Sequence, residues 1–220
     1  MLMHQLRITY VAALLGGSLG LLAAPAHSQT TINFDQDANG NTINAPALFS
    51  QTTPLTTLYS SLGITFSGPN SNGGSILNDS TFAVKARSGS NFLAFNSLAT
   101  NAGQQPETFT FSSPESMFSF YAGANSAGST FTLNAYDGSN NLIGTNVITT
   151  SGSSFGQLLI STPGIKKAVL SSSNSVFVVD DLAFSNPNAV TPEGSSLFLL
   201  CGGLIPIVGL GQWKRRHRKV

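Results

Sequence analysis

Two adjacent acids near the end of the polar part of the chain, Asp180 and Asp181, are the residues best suited to do chemistry. They lie in a stretch, 176–184, whose apolar residues alternate as in a strand, so one carboxylate must share a face with apolar side chains. Burying that carboxylate unpaired would cost several kcal/mol. Backbone N–H groups, a basic side chain or a hard cation would offset the cost, and the sequence leaves these alternatives open.

Calcium is the natural extracellular cation for carboxylate and carbonyl oxygens. The first and last strands of an antiparallel sandwich often lie side by side, which would bring Asp35 close to Asp180 or Asp181. The sequence therefore predicts a structural calcium site at these three aspartates. The alternative is an aspartate that accepts backbone hydrogen bonds near the end of a strand.

Tyrosines are the candidate contacts for a sugar, because glycan binding usually employs exposed aromatic faces. Tyr59, Tyr121 and Tyr136 are the candidates. Tyr121 and Tyr136 fall on the sides of their predicted strands opposite the Phe and Leu residues, which predicts that they face solvent. The alternative is that all three are ordinary half-buried strand tyrosines.

Composition excludes several kinds of catalysis. Residues 29–188 contain eight acids and four bases but no His, Cys or Trp. Zinc, copper and haem sites built on His or Cys, disulfides, and Ser-His-Asp catalysis are therefore excluded. Glycoside hydrolysis needs two carboxylates across a cleft, and most of the acids lie near turns. We expect no enzymatic activity, with a carboxylate-based glycan hydrolase as the less favoured alternative. No basic stripe is present, so nucleic acid is not an expected partner.

Short alternating strands separated by Gly, Asn and Ser turns must position these residues. The pattern favours an all-β fold, an antiparallel β-sandwich of the jelly-roll type, over residues 29–188. Long connections are expected at 36–62 and 68–81. The predicted strands are 31–35, 63–67, 82–87, 91–95, 107–112, 117–122, 129–136, 142–149, 156–161 with 165–171, and 176–184. The predicted core comprises Phe34, Phe66, Phe109, Phe111, Phe118, Phe120, Leu133 and Phe184.

The first residues, 1–28, have the plan of a secretory signal peptide. Arg7 gives a positive start, Val11–Ala24 is largely apolar, and small residues that suit cleavage follow. The apolar run is short of the ~20 residues that span a bilayer. We therefore expect an exported protein that begins near Gln29.

The last residues, 191–219, read as a second targeting segment. A short polar motif precedes an apolar stretch, 197–213, which is predicted to be a transmembrane helix at the low limit of length. Basic residues close the segment and would stay on the cytoplasmic side, leaving the body outside. The motif is Thr191, Pro192, Glu193 and Gly194, and the basic residues are Lys214, Arg215, Arg216, Arg218 and Lys219.

This tail resembles the PEP-CTERM sorting signal of Gram-negative bacteria, which an exosortase processes. Pro192 and Glu193 match the first two positions of its Pro-Glu-Pro motif, and Gly194 stands where the second Pro is usual. The resemblance implies an exosortase-type sorting enzyme as a partner and a precursor held in the inner membrane by the C-terminal helix. It also implies a final place at the cell surface or outside the cell.

The body resembles secreted PEP-CTERM proteins as well. The matching segments are Ile32–Asp35, Tyr59–Phe66, Ala135–Asp137 and Asp180–Phe184. This resemblance implies a sandwich like that of carbohydrate-binding modules. We expect a structural or adhesive role in the envelope or extracellular matrix, with a carbohydrate-binding module for extracellular polysaccharide as the alternative.

Overall fold

The structure is a computed structural model that describes residues 27–48, 55–69, 73–94, 105–125, 128–174 and 176–190. The predicted signal peptide, apart from its last two residues, lies outside these residues. So do the sorting motif Thr191–Gly194, the apolar stretch 197–213 and the basic residues after it. Among the helices within these residues, none has the length and apolar character needed to span a membrane.

The described residues form eleven β-strands in two antiparallel sheets. One sheet has six strands in the order β3-β4-β11-β6-β9, with β1 also paired to β11, and the other has five in the order β2-β5-β10-β7-β8. The strands are β1 (His27–Ile32), β2 (Ile64–Ser67), β3 (Ser75–Asn78), β4 (Asn91–Ala94), β5 (Glu107–Glu115), β6 (Met117–Gly123), β7 (Ser129–Tyr136), β8 (Leu142–Thr150), β9 (Phe155–Ile160), β10 (Ile165–Ser172) and β11 (Val178–Val190).

Phenylalanines from alternate strand positions join the two sheets into a sandwich. Rings of Phe109 on β5 and Phe118 on β6 lie 5.1 Å apart between centroids, and Phe111 and Phe118 are also 5.1 Å apart. Side chains alternate across a strand, so every second residue faces this interior. All eight residues of the predicted core are at most 3% exposed, which confirms the prediction of a β-sandwich core.

The first and last strands do pair, as expected. β1 runs antiparallel to β11, with Thr30 opposite Phe184 and Ile32 opposite Leu182. The pairing continues to His27 opposite Val190, after an irregularity between His27 and Gln29. Both ends of the described chain therefore meet at one place on the six-stranded sheet.

Several predicted strands were misplaced. β1 begins at His27 and ends at Ile32, instead of spanning 31–35, and β3 lies inside the predicted connection 68–81. The ranges 156–161 and 165–171, which were predicted together, correspond to β9 and β10, and these two strands lie in different sheets. The predicted strand 82–87 was wrong, because these residues form bends and irregular backbone.

The segment 82–87 alternates for another reason. Val84 joins a small apolar cluster with Leu77, Phe92 and Val178 on the six-stranded sheet, and Phe82 and Ala86 pack against it. Val178 lies beside Val179, which belongs to the main core, so this second cluster covers the opposite, outer face of β11. Alternation here marks a segment that covers a sheet rather than one that pairs with it.

Candidate functional site

An open groove of about 570 Å³ lies on the outer face of the six-stranded sheet. Register explains why its polar residues share this face: Tyr121 on β6 is opposite Gln157 on β9, and Ser119 is opposite Ala183 on β11. Their neighbours Phe118, Phe120 and Ala122 point into the core. The polar and charged side chains that line it include those of Thr31, Arg87, Ser119, Tyr121, Gln157 and Asp181.

Arg87 and Ser88 line one side of the groove and belong to the segment 79–91, which we call the strap. Five of its backbone N–H groups donate to aspartate side chains. Asp79, the first residue of the strap, accepts the Ala86 N–H at its Oδ2 at 3.0 Å. Asp35 Oδ1 accepts from the N–H groups of Ser90 at 3.0 Å and Asn91 at 3.2 Å at the other end.

The middle of the strap is held by Asp180. Its Oδ2 accepts the N–H groups of Arg87 at 2.7 Å and Ser88 at 3.1 Å, and its Oδ1 accepts the N–H of Asp181 at 2.8 Å. Burial raises the pKa of Asp180 to about 7, although these backbone donors act in the opposite direction. The sequence alternative of an aspartate bonded to backbone N–H groups is the arrangement seen.

Asp181 turns into the groove instead of to the far side of the sheet. Strict alternation predicted that Asp180 and Asp181 face opposite sides, and this prediction was wrong. The ladder between β11 and β6 is irregular between Asp180 and Ala183, and Asp181 has a φ of 49°. A bulge with a left-handed residue, a conformation that Asp and Asn adopt more readily than most, re-aims the side chain. Both carboxylates consequently reach Arg87 and Ser88.

Arg87 links the strap to the floor of the groove. Its guanidinium forms an ion pair with the Asp181 carboxylate, whose other oxygen accepts the Ser88 hydroxyl at 2.6 Å. The guanidinium carbon lies 3.5 Å from the centre of the Tyr121 ring, within the range of a cation–π contact. Tyr121 and Arg87 thus form a stacked pair in which both side chains are partly exposed.

The three candidate tyrosines are not brought together. Tyr59 is 1% exposed in the core, and its hydroxyl donates to the Gln36 carbonyl at 2.8 Å, so its proposed glycan contact was wrong. Burial raises the pKa of Tyr59 far above its ordinary value. Tyr136 lies on β7 of the other sheet, with the Lys167 ammonium 4.8 Å from its ring centre. Only Tyr121 of the three lines the groove.

The three aspartates predicted to bind calcium are all close to the strap. Asp180 and Asp181 hold its middle, whereas Asp35 holds its end. Among the described residues, no group of three or more His, Cys, Asp or Glu side chains is placed to hold a metal ion. The partners of these carboxylates favour the backbone-bonded alternative, and the calcium site stays a prediction.

Two glutamates on β5 were not singled out from the sequence. Glu107 is 1% exposed on the core side of β5, neither of its carboxyl oxygens has a hydrogen-bond partner, and burial raises its pKa to about 10. Glu115 is also buried, and burial raises its pKa, with a smaller opposing effect from Lys166. The sequence did carry a signal for the burial of Glu107: it lies two residues before Phe109, so the two side chains point to the same side of β5.

Carboxylates at two turns have purely local partners. Asp137 Oδ1 accepts the N–H groups of Ser139 at 2.8 Å and Asn141 at 2.9 Å. Asp37 repeats this geometry with Asn39 and Asn41, at 2.8 and 2.9 Å. Hydrogen bonds from the side-chain amides of Asn141 and Asn41 to the other carboxylate oxygen, followed by these backbone bonds, lower the pKa of both carboxyls. Turn formation therefore accounts for both acids.

Comparisons with known proteins give distant structural likenesses. No family model matches the chain, and no curated protein matches it. A crystal structure of a DUF4465 family protein from Bacteroides caccae is 16% identical, covers 76% of this chain and 96% of its own, and has a TM-score of 0.38. The structure of TmCBM61 in complex with β-1,4-galactotriose is 13% identical in sequence and has a TM-score of 0.31. The match covers 56% of this chain and 83% of TmCBM61. A family 6 carbohydrate-binding module is 15% identical in sequence and also has a TM-score of 0.31. The match covers 71% of this chain and 93% of that module.

Proposed function

We propose that this is an exported surface protein whose jelly-roll sandwich binds an extracellular polysaccharide in the groove beside Tyr121. The observation that carries the proposal is the contact between the Arg87 guanidinium and the Tyr121 ring, among hydroxyl and amide side chains on the outer face of the sheet. Binding of this kind would give the protein an adhesive role in an extracellular matrix.

The groove suits a polymer in its shape and in its chemistry. Its volume of about 570 Å³ is within the usual range of ligand sites, and it is open to solvent, so a polymer can reach it from outside. Thr31, Ser119 and Gln157 offer both donors and acceptors, which match sugar hydroxyls. A sugar ring presents apolar C–H faces that pack against an aromatic ring or a guanidinium plane.

Hydrolysis is not supported by the acids that line the grooves. Asp181 is the carboxylate in the main groove and is already paired with Arg87. A second groove of about 240 Å³ contains one carboxyl, Glu115. Glycoside hydrolysis needs two carboxylates about 5–10 Å apart across the bond that breaks. Among the described residues, neither groove supplies such a pair, so binding without turnover is the function we propose.

The test of binding uses the full chain, purified in mild detergent, and insoluble or immobilised polysaccharides. Tyr121→Ala should weaken binding about tenfold, the loss expected for one aromatic contact. Gln157→Ala should weaken it as well. Tyr136→Ala is the matched control, because this tyrosine lies on the other sheet. Equal binding by the Tyr121 and Tyr136 variants would overturn the assignment of the groove.

Sorting is a separate part of the proposal and is supported by the pattern of the two ends alone. We propose that a signal peptidase removes residues up to about Ser28, and that an exosortase-type enzyme processes the chain near Pro192-Glu193. The apolar stretch 197–213 would hold the precursor in the inner membrane. Intact-mass analysis of the protein from its native host tests this: a mass that retains residues 197–213 in secreted material would contradict it.

A further inference from the structure

Charge in the groove is balanced by a single ion pair. Among the residues that line the groove, Arg87 and Asp181 are the charged ones, and their side chains bond to each other. Asp180 lies beneath the strap, fully buried and bonded to backbone N–H groups. A ligand therefore meets a surface whose formal charges cancel.

Such a surface discriminates against anionic polymers. A uronate or sulfate group would need an uncompensated cation, and Arg87 is already engaged by Asp181. Taking Arg87 from Asp181 would leave that carboxylate facing another anion, and like charges held close together repel. The body as a whole has eight acids and four bases, so its formal charge also disfavours a polyanion.

A neutral polymer has no such penalty. Its hydroxyl groups can accept hydrogen bonds from a guanidinium, which carries five N–H donors in a plane, without breaking the ion pair. We propose that the groove selects neutral, hydroxyl-rich polysaccharides over polyuronic acids, and that the Arg87–Asp181 pair sets this preference. This inference rests on the proposed function of the groove.

The experiment compares neutral galactan and glucan with polygalacturonate, using the full chain in mild detergent and affinity electrophoresis. The wild-type protein should be retarded by a neutral polymer and not by polygalacturonate. Its affinity should change less than about twofold between low and high salt, because salt screens only unbalanced charge. Stronger retardation by polygalacturonate, weakened by salt, would overturn the inference and leave polysaccharide binding intact.

Asp181→Asn isolates the role of the ion pair. Asn tolerates the left-handed backbone at this position and can still accept the Ser88 hydroxyl, so the fold should be kept. The variant leaves Arg87 uncompensated and should gain salt-sensitive binding of polygalacturonate. The double variant Asp181→Asn with Arg87→Gln restores neutrality and should lose that gain. No gain in a folded Asp181→Asn protein overturns the inference, whereas no binding of any polymer by the wild type overturns the proposed function with it.

Discussion

The guanidinium of Arg87 lies over the ring of Tyr121, with 3.5 Å between the guanidinium carbon and the ring centre. The two residues come from different elements, since Arg87 belongs to the strap and Tyr121 to β6. Their contact therefore depends on how the backbone of the strap is held. Asp35, Asp79 and Asp180 perform that role through the strap's N–H groups.

Gly89→Ala should loosen the strap. Gly89 has a φ of +58°, and a Cβ built on it would lie 1.8 Å from Asp35 Oδ2. An alanine is strained in this conformation and would push away the carboxylate that binds Ser90 and Asn91. We expect the free energy of unfolding to fall by more than about 1 kcal/mol.

Urea unfolding of the purified protein measures this change. Gly138→Ala is the control, because nothing lies within 4 Å of the Cβ that it would add. Similar midpoints for both variants would mean that the strap tolerates a side chain at position 89.

Phe111→Ala and Phe120→Ala should each lower the free energy of unfolding by about 3–5 kcal/mol. Both side chains are at most 1% exposed and pack against rings from the opposite sheet. Val147 is 56% exposed, so Val147→Ala should change stability by no more than about 0.5 kcal/mol. Chemical denaturation distinguishes the two groups, and near-zero losses for both phenylalanines would contradict the described core.

Glu107 should make the protein more stable in mild acid than in mild base. Its pKa is raised from 4.5 to about 10 in the folded protein, so the folded state keeps a proton that the unfolded state loses. The stabilisation is fully present below about pH 4.5 and is lost as the pH rises through about 10. The free energy of unfolding should fall by about 1.4 kcal/mol per pH unit inside this window.

Glu107→Gln removes this titrating carboxyl and should make the free energy of unfolding depend less on pH. The range from pH 7 to 9 is informative for Glu107. Asp180, with a pKa of about 7, lowers the free energy of unfolding mainly below pH 7. Unfolding midpoints of both proteins at pH 7 and 9 provide the measurement. Parallel slopes for the wild type and the variant would show that Glu107 does not carry a buried proton.

The backbone-bonded alternative predicts that calcium leaves the thermal stability unchanged. The oxygens of Asp180 already accept three backbone N–H groups, and Asp181 is paired with Arg87. A cation that binds only the folded state would add about 2.7 kcal/mol at a hundredfold excess over its Kd. Melting with millimolar calcium and with chelator decides the matter. A higher midpoint in calcium, lost in Asp180→Asn, would establish the site that the sequence predicted.

Much of the fold could be predicted because it follows from side-chain alternation. Phe109, Phe111, Phe118 and Phe120 repeat every second residue, and burying them requires two facing sheets. The turn at Asp137 was equally accessible, since its partners lie within four residues along the chain. Local patterns of this kind need no knowledge of distant contacts.

The candidate site was predictable only in part. Tyr121 was identified, but the strap that places Arg87 over it depends on hydrogen bonds between residues more than 90 positions apart. The bulge that turns Asp181 has no signature in an alternating pattern. Tyr59 was misjudged because a tyrosine with a buried hydroxyl partner looks the same in sequence as an exposed one.

The pairing of His27 with Val190 has a consequence for how the chain can be connected. Because the two ends of the described chain meet, a short linker could join them, and new ends could be opened elsewhere without breaking either sheet. The turn around Gly138, where no atom lies within 4 Å of an added Cβ, is a suitable place. Such a circular permutant should keep the β-sheet signal of the parent in far-UV circular dichroism. The order in which the strands are synthesised would then be separable from the architecture that they form.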